Sequence, residues 1–211
     1  MLFYVDKNKK WYIINNKCYL ILEEAIYMAR KTKFMKEQIL EKAKEFINDK
    51  GIEQMKARDL CKYIGCSTQP LFKNFESMEE FKKSLKKYLH DYYDEFINKI
   101  VDKEDYLFTI SYAYALFSYR ESNIFKALFM SDLAGTRTIE EVLNSPQNID
   151  TIKSIPNQYN LTTKQSEKLY RDVRFYTHGL SCQIACKSIL VDEKEIKKLI
   201  NDIIKNLKEA V

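Results

Sequence analysis

From Ala57 onward the apolar residues of this chain recur at intervals of three and four, the spacing that lines one face of a helix. Ala57, Leu60, Cys61 and Ile64 stand at i, i+3, i+4 and i+7, so a helix closes at Gly65, where glycine accepts the left-handed conformation that follows a helix end. Ser67 is placed to N-cap a second helix that begins near Thr68 after a three-residue turn. Turning about 100° per residue from there groups Leu71, Phe72 and Phe75 on one face and projects Gln69, Pro70, Lys73 and Asn74 from the other. Pro70 fits because it falls in the first turn.

Further along, Ser77 and Glu80 spell a capping box that opens a long helix from Met78 to about Val101. Its apolar stripe, from Phe81 and Leu85 to Phe96 and Ile100, is continuous, which suits a helix that packs on two units and carries displacement between them. Tyr106 to Tyr119 is apolar on every side and belongs at the centre of a bundle. Gly135 to Asn160, with Pro146 and Pro156, reads as short helices and loops with the character of a lid. Capping boxes at Thr162/Gln165 and Asp192/Glu195 start two more helices, the first running to about Leu190. The predicted fold is all-α, with residues 1–27 as an N-terminal extension that forms either a short β meander or no regular structure.

The pair of short helices around Gly65 has the dimensions of a helix-turn-helix whose second member enters the DNA major groove. Gln69 and Asn74 carry amides that pair bidentately with adenine, and Lys73 reaches guanine or a phosphate. Ser67, Thr68, Pro70 and Phe72 flank them on the same helix, and Lys36, Lys56 and Arg58 offer phosphate contacts.

At these residues the chain resembles the TetR/AcrR family of transcriptional regulators. The match covers ILEKAKEFINDKG as first helix, ARDLCKYIGCSTQPLFKNF as helix-turn-helix and SMEEF, Ser77 to Phe81, as the opening of the fourth helix. Two positions depart from the family pattern: Phe72 stands where a tyrosine is usual and Met78 where a lysine is usual, so two phosphate contacts are missing. Lys56, Arg58 or the basic arm at Arg30 to Lys33 would have to compensate.

The resemblance implies a three-helix DNA-binding domain over residues 28–82 and a helical effector-binding and dimerisation domain over residues 83–211. It also implies a two-fold dimer formed by the last two helices, in which His178, Cys182, Ile196, Leu199, Ile203 and Leu207 are the expected interface residues. HisGly at His178 and Gly179 matches a motif found in some family C-terminal domains. Eight aromatic residues between Tyr106 and Met130, together with Arg120, have the makings of a small-molecule pocket; Tyr112, Phe117, Arg120, Phe129 and Tyr176 are the candidate contacts.

Charge points the same way. Residues 28–90 carry 15 Lys/Arg against 9 Asp/Glu, net +6, whereas residues 91–211 carry 16 against 18, net −2, so the basic end is the helix-turn-helix end. Lys82, Lys83, Lys86 and Lys87 read instead as a solvated outer face of the fourth helix. The longest uncharged run, Tyr106 to Tyr119, has 14 residues, too few to span a bilayer. Five unpaired-looking cysteines in a chain without an evident signal peptide suggest reduced thiols and a cytoplasmic setting. Leu22-Glu23-Glu24 can be encoded with an embedded ribosome-binding sequence three codons before Met28, so Met28 is the expected translation start and residues 1–27 the expected product of a mis-assigned one.

His178, Cys182 and Cys186 fall at i, i+4 and i+8, but about 12 Å of helix rise separates the outer two, so they cannot close on one metal ion. Phosphate-binding glycine loops, HExxH and CxxC are absent, and His90 is expected to be solvated; no enzyme and no cofactor are implied. The expected partners are a double-stranded DNA operator, a second copy of the chain and a small-molecule effector, with no membrane. The expected function is a repressor released from a palindromic operator by that effector. Two other readings stay open: a constitutive regulator without an effector, and a helical carrier or enzyme with a non-functional helix-turn-helix.

Overall fold

A computed structural model describes residues 10–14, 17–21 and 35–211. The first two segments are strands β1 (Lys10–Ile14) and β2 (Lys17–Ile21), an antiparallel hairpin in which Lys10 pairs with Ile21 and Ile14 with Lys17. The rest of the predicted N-terminal extension and the basic arm at Arg30 to Lys33 lie outside the described residues.

The remaining regular elements among the described residues are helices. The helix-turn-helix end comprises α1 (Lys36–Lys50), a 3-10 turn (Ile52–Gln54), α2 (Ala57–Ile64) and α3 (Gln69–Asn74). The helix α4 (Met78–Asn98) leads into α5 (Tyr106–Arg120), α6 (Ser122–Phe129), α7 (Ile139–Leu143) and α8 (Pro146–Tyr159). Two long helices, α9 (Thr163–Ala185) and α10 (Glu193–Glu209), complete the chain. Among the described residues no helix is long and apolar enough to cross a membrane.

Local chemistry accounts for the boundaries. Gly65 ends α2 at φ 81°, ψ 30°, and its N–H returns to the carbonyls of Cys61 and Lys62. Thr162 and Gln165, and likewise Asp192 and Glu195, satisfy each other's backbone N–H groups in reciprocal boxes. Ser77 does half of this: its hydroxyl accepts from Glu80 N–H at 3.1 Å, but the Glu80 carboxylate accepts from Glu76 N–H, 2.6 Å away, instead of from Ser77.

As its all-round apolar sequence requires, α5 is central, packed against α4, α6, α8, α9 and α10. Two buried clusters result. One is continuous from Ile39 and Phe46 in α1 through Leu71 in α3 and Phe81 in α4 to Phe117 and Phe125. The other joins Leu107 of α5 and Leu169 of α9 to Ile196, Ile200 and Ile204 on the inner face of α10.

Candidate nucleic-acid interface and effector cleft

Helix α3 is only six residues long, and two side chains fix its orientation: Leu71 and Phe75 are each 1% exposed, with Phe75 edge-on to Phe81 at 5.1 Å between ring centroids. Gln69 and Lys73 are exposed on the opposite side, as the helical phase predicts. Phe72 departs from the prediction. It stands 47% exposed beside Gln69 and Lys73, because position 72 lies at the edge of the face that Leu71 and Phe75 bury. Pro70, in the first turn, and Thr68 are half-buried, while Ser67 is exposed.

Two further corrections concern the ends of this helix. The corner spans Gly65 to Thr68, so Thr68 and not Ser67 occupies the N-cap, and its side chain makes no cap hydrogen bond. At the other end Asn74 does not project from the surface: it is half-buried and its amide donates to the Pro70 carbonyl at 2.8 Å. That bond folds the amide back onto its own helix.

Lys56 and Arg58 are exposed where α2 begins. Lys36 has a structural task, for its ammonium lies 3.1 Å from the Glu80 carboxylate and 4.8 Å from the centroid of the Phe75 ring. It ties the start of α1 to the start of α4 above α3. Cys61 on α2 neighbours Cys66 in the corner; burial first, then Cys66, pushes the Cys61 thiol up to about 11.

The junction between the two ends is polar. Tyr92 of α4 donates to the Glu121 carboxylate at 2.8 Å, Asn48 Nδ2 lies 3.5 Å from the other oxygen, and Asn123 Nδ2 donates to the Asn48 carbonyl at 2.7 Å. Burial, and then the Glu121 bond, hold the Tyr92 phenol up at about 12, so it remains a donor at neutral pH.

A cleft of about 100 Å³ opens between α4, α5, α6, α8 and α9. Its walls include Tyr93, Tyr114, Phe129 and Tyr170, and its charged residues are Arg137, from the loop before α7, and Arg174 of α9. Of the predicted effector residues only Phe129 lines it. Phe117 is fully buried among Tyr93 and Phe96 as ordinary core. Tyr112 is stacked on Phe108, and Tyr176 lies 37% exposed on the outside of α9. Arg120 is exposed and clamps Glu193 through two bonds of 2.8 and 2.9 Å, joining the end of α5 to the start of α10.

Contrary to the sequence expectation, His90 is not a solvated side chain but lines this cleft, edge-on to Phe129 with ring centroids 6.2 Å apart. Burial lowers its pKa most, Lys86 and Arg137 lower it further, and Asp94 and Asp91 oppose them. Lys86 likewise leaves the solvated lysine face, its ammonium donating to the Ala134 carbonyl at 2.8 Å.

Comparisons with known proteins come down on the fold. No protein-family model and no curated protein sequence match the chain. Among solved structures, a TetR variant from Acinetobacter baumannii AYE in complex with minocycline is similar at 18% identity and a TM-score of 0.51, covering 84% of this chain and 96% of that one. The chain has a TetR-like fold. A TetR transcriptional regulator from Rhodococcus sp. RHA1 gives 14% identity and a TM-score of 0.46, over 89% of this chain and 99% of the other.

In this TetR-like fold the side chains predicted for a dimer interface face largely inward. Ile196 is fully buried within the protomer, because α10 turns its regular stripe onto α5 and α9. Leu199, Ile203 and Leu207 are half-buried at the edge of the same cluster. His178 shares a 2.9 Å hydrogen bond between Nδ1 and the Tyr114 hydroxyl, and its Nε2 lies 3.6 Å from Cys182 Sγ, so both residues look into the aromatic core. Burial first and Arg174 second lower the His178 pKa. The exposed apolar side chains of α9 are Phe175, at 51%, and Tyr176.

Sequence reasoning missed Arg174 and Thr177 as cleft residues. The signal was present: Tyr170, Arg174 and Thr177 follow one another at helical spacing on the face of α9 that also carries Leu169, Val173 and Leu180. A cation on a buried stripe is a marked position.

Proposed function

We propose that this chain is a sequence-specific DNA-binding transcriptional regulator that acts as a homodimer, represses from a palindromic operator and is released by a small-molecule effector. The observation that carries the reading is the presentation of Gln69, Phe72 and Lys73 on the open side of α3 while Leu71 and Phe75 anchor its back. Gln69 offers an adenine-specific amide, Phe72 an apolar contact for a thymine methyl, and Lys73 a guanine or phosphate contact. Ser67, Thr68, Pro70 and Asn74 shape this helix, and Lys56, Arg58 and Lys36 supply charge toward the backbone.

For pairing, the exposed Phe175 and Tyr176 on α9 and the half-buried edges of Leu199, Ile203 and Leu207 on α10 are the apolar side chains available to a second copy. A two-fold axis there would set two α3 helices on successive major grooves. Release follows from α4, which carries Phe81 beneath α3 and His90 and Tyr93 at the cleft. An effector that favours a widened cleft would favour a displaced α4 and so a dimer with wrongly spaced recognition helices. Minocycline in the A. baumannii protein supports the idea that this fold accommodates a ligand.

The cleft also favours a second reading, a regulator without an effector, since about 100 Å³ is well below the roughly 300–1,000 Å³ usual for ligand pockets. Selection of bound duplexes from a random pool tests the main proposal. Recovery of a palindrome is the expected outcome, and recovery of no enriched sequence at low salt would end it.

A further inference from the structure

Resting on the reading of the cleft as an effector site, we propose that its occupant is a small aromatic carboxylate, held at its anionic end by Arg137 and Arg174 and along its ring by Tyr93, Tyr114 and Phe129.

The charge of the site is one-sided. Two guanidinium groups line the cleft and no carboxylate does. The carboxylates that act on this region, Asp91 and Asp94, sit on α4 outside the lining, and Lys86 directs its ammonium to the Ala134 carbonyl. The choice of arginine is itself informative, because the chain holds 29 lysines and only 6 arginines, yet both lining cations are arginine. A guanidinium presents a planar fork that matches the two oxygens of a carboxylate, whereas lysine offers a point charge.

An independent observation points to a ligand oxygen. Thr177 lines the cleft, is 2% exposed, and its hydroxyl has no hydrogen-bond partner among the described residues. The neighbouring cleft hydroxyl of Ser111 is already bonded to the Leu107 carbonyl at 2.7 Å. Thr177 stands three residues after Arg174 on α9, so hydroxyl and guanidinium leave the same face of the helix. A buried hydroxyl without a partner is unfavourable, and an acceptor oxygen on a ligand removes the penalty.

Size and wall chemistry define the rest of the molecule. Tyr93 and Tyr114 meet Phe129 at 5.2 and 5.1 Å between centroids, an inclined arrangement that another aromatic ring extends. The volume of about 100 Å³ limits the body to one ring, with any substituent leaving through the mouth beside the exposed Arg137 loop. An ammonium ligand would meet two like charges, and a neutral one would forgo the charge pairing that the two guanidinium groups offer.

The test is a calorimetric titration of the full chain with benzoate, methyl benzoate, benzylammonium and inorganic phosphate, repeated on Arg137→Gln, Arg174→Gln and Thr177→Val. Benzoate should bind at least about tenfold more tightly than its ester, with no binding of benzylammonium or phosphate, and each arginine variant should lose about tenfold. Thr177→Val should lose a few-fold. Arg137 lies in an exposed loop, so its variant keeps the test valid if Arg174→Gln fails to fold. Equal affinity for acid and ester, unchanged benzoate affinity in Arg137→Gln, or no benzoate binding at millimolar concentration would overturn the inference. A parallel measurement of operator affinity separates the two layers. Benzoate that binds without weakening the DNA complex removes effector release and leaves this site assignment standing; a neutral or cationic probe that releases DNA where benzoate does not bind removes the assignment alone.

Discussion

Tyr92 and Glu121 are joined by a 2.8 Å hydrogen bond that links the middle of α4 to the junction of α5 and α6, within reach of Asn48 on α1. Tyr92→Phe deletes that bond with little change of shape. The expected cost is about 1 kcal/mol, and the melting temperature should fall by roughly 2–4 °C in calorimetry. If the junction transmits displacement, the same variant should also alter how strongly a cleft ligand changes DNA affinity.

On the proposed DNA face, Gln69→Ala should flatten preference at one base pair of the operator, a loss of about 1–3 kcal/mol on the selected site and little on random duplex. Arg58→Ala should weaken both equally and lower the slope of log affinity against log salt by about 1. Fluorescence anisotropy across salt concentrations would separate the two. Equal losses on both duplexes for both variants would contradict the division of labour.

Phe117 and Tyr112 provide a contrast within one helix. Phe117 is wholly buried and touches Tyr93 and Phe96, so Phe117→Ala should cost about 3–5 kcal/mol in chemical denaturation. Tyr112 is half-buried against the second cluster and should cost much less. Neither substitution is expected to act on ligand binding directly, since neither side chain lines the cleft.

Both histidines are held below their ordinary pKa, chiefly by burial. In the unfolded chain each takes up a proton near pH 6.5, before the folded chain does. Stability should therefore be level above that pH and decline as the pH falls from there toward the folded-state values, since the unfolded state then binds more protons. Urea midpoints measured from pH 8 to pH 5 check the sign, and His178→Gln should reduce the slope.

The helices were readable because their information is local. Gly65, the Thr162/Gln165 and Asp192/Glu195 boxes, and the Ile196–Ile200–Ile204 stripe act through neighbours within one or two turns. The cleft was not, because Arg137 and Arg174 are 37 positions apart and acquire a joint meaning only when the α7 loop and α9 meet across α4 and α5. Phe72 and Asn74 show a subtler limit. Helical phase correctly placed Leu71 and Phe75, but positions 72 and 74 fall at the two edges of that face, about 80° to either side, where phase does not decide: Asn74 turns back to the Pro70 carbonyl and Phe72 stays outside.

One buried cluster runs without interruption from Ile47 in α1 through Leu85 in α4 to Phe125 in α6. A fragment ending before α4 would thus keep the α1–α3 head but lose the oily floor beneath it. Local opening of the head must disrupt much of the shared interior, which makes its rigidity a property of the whole protomer rather than of its first seventy-odd residues.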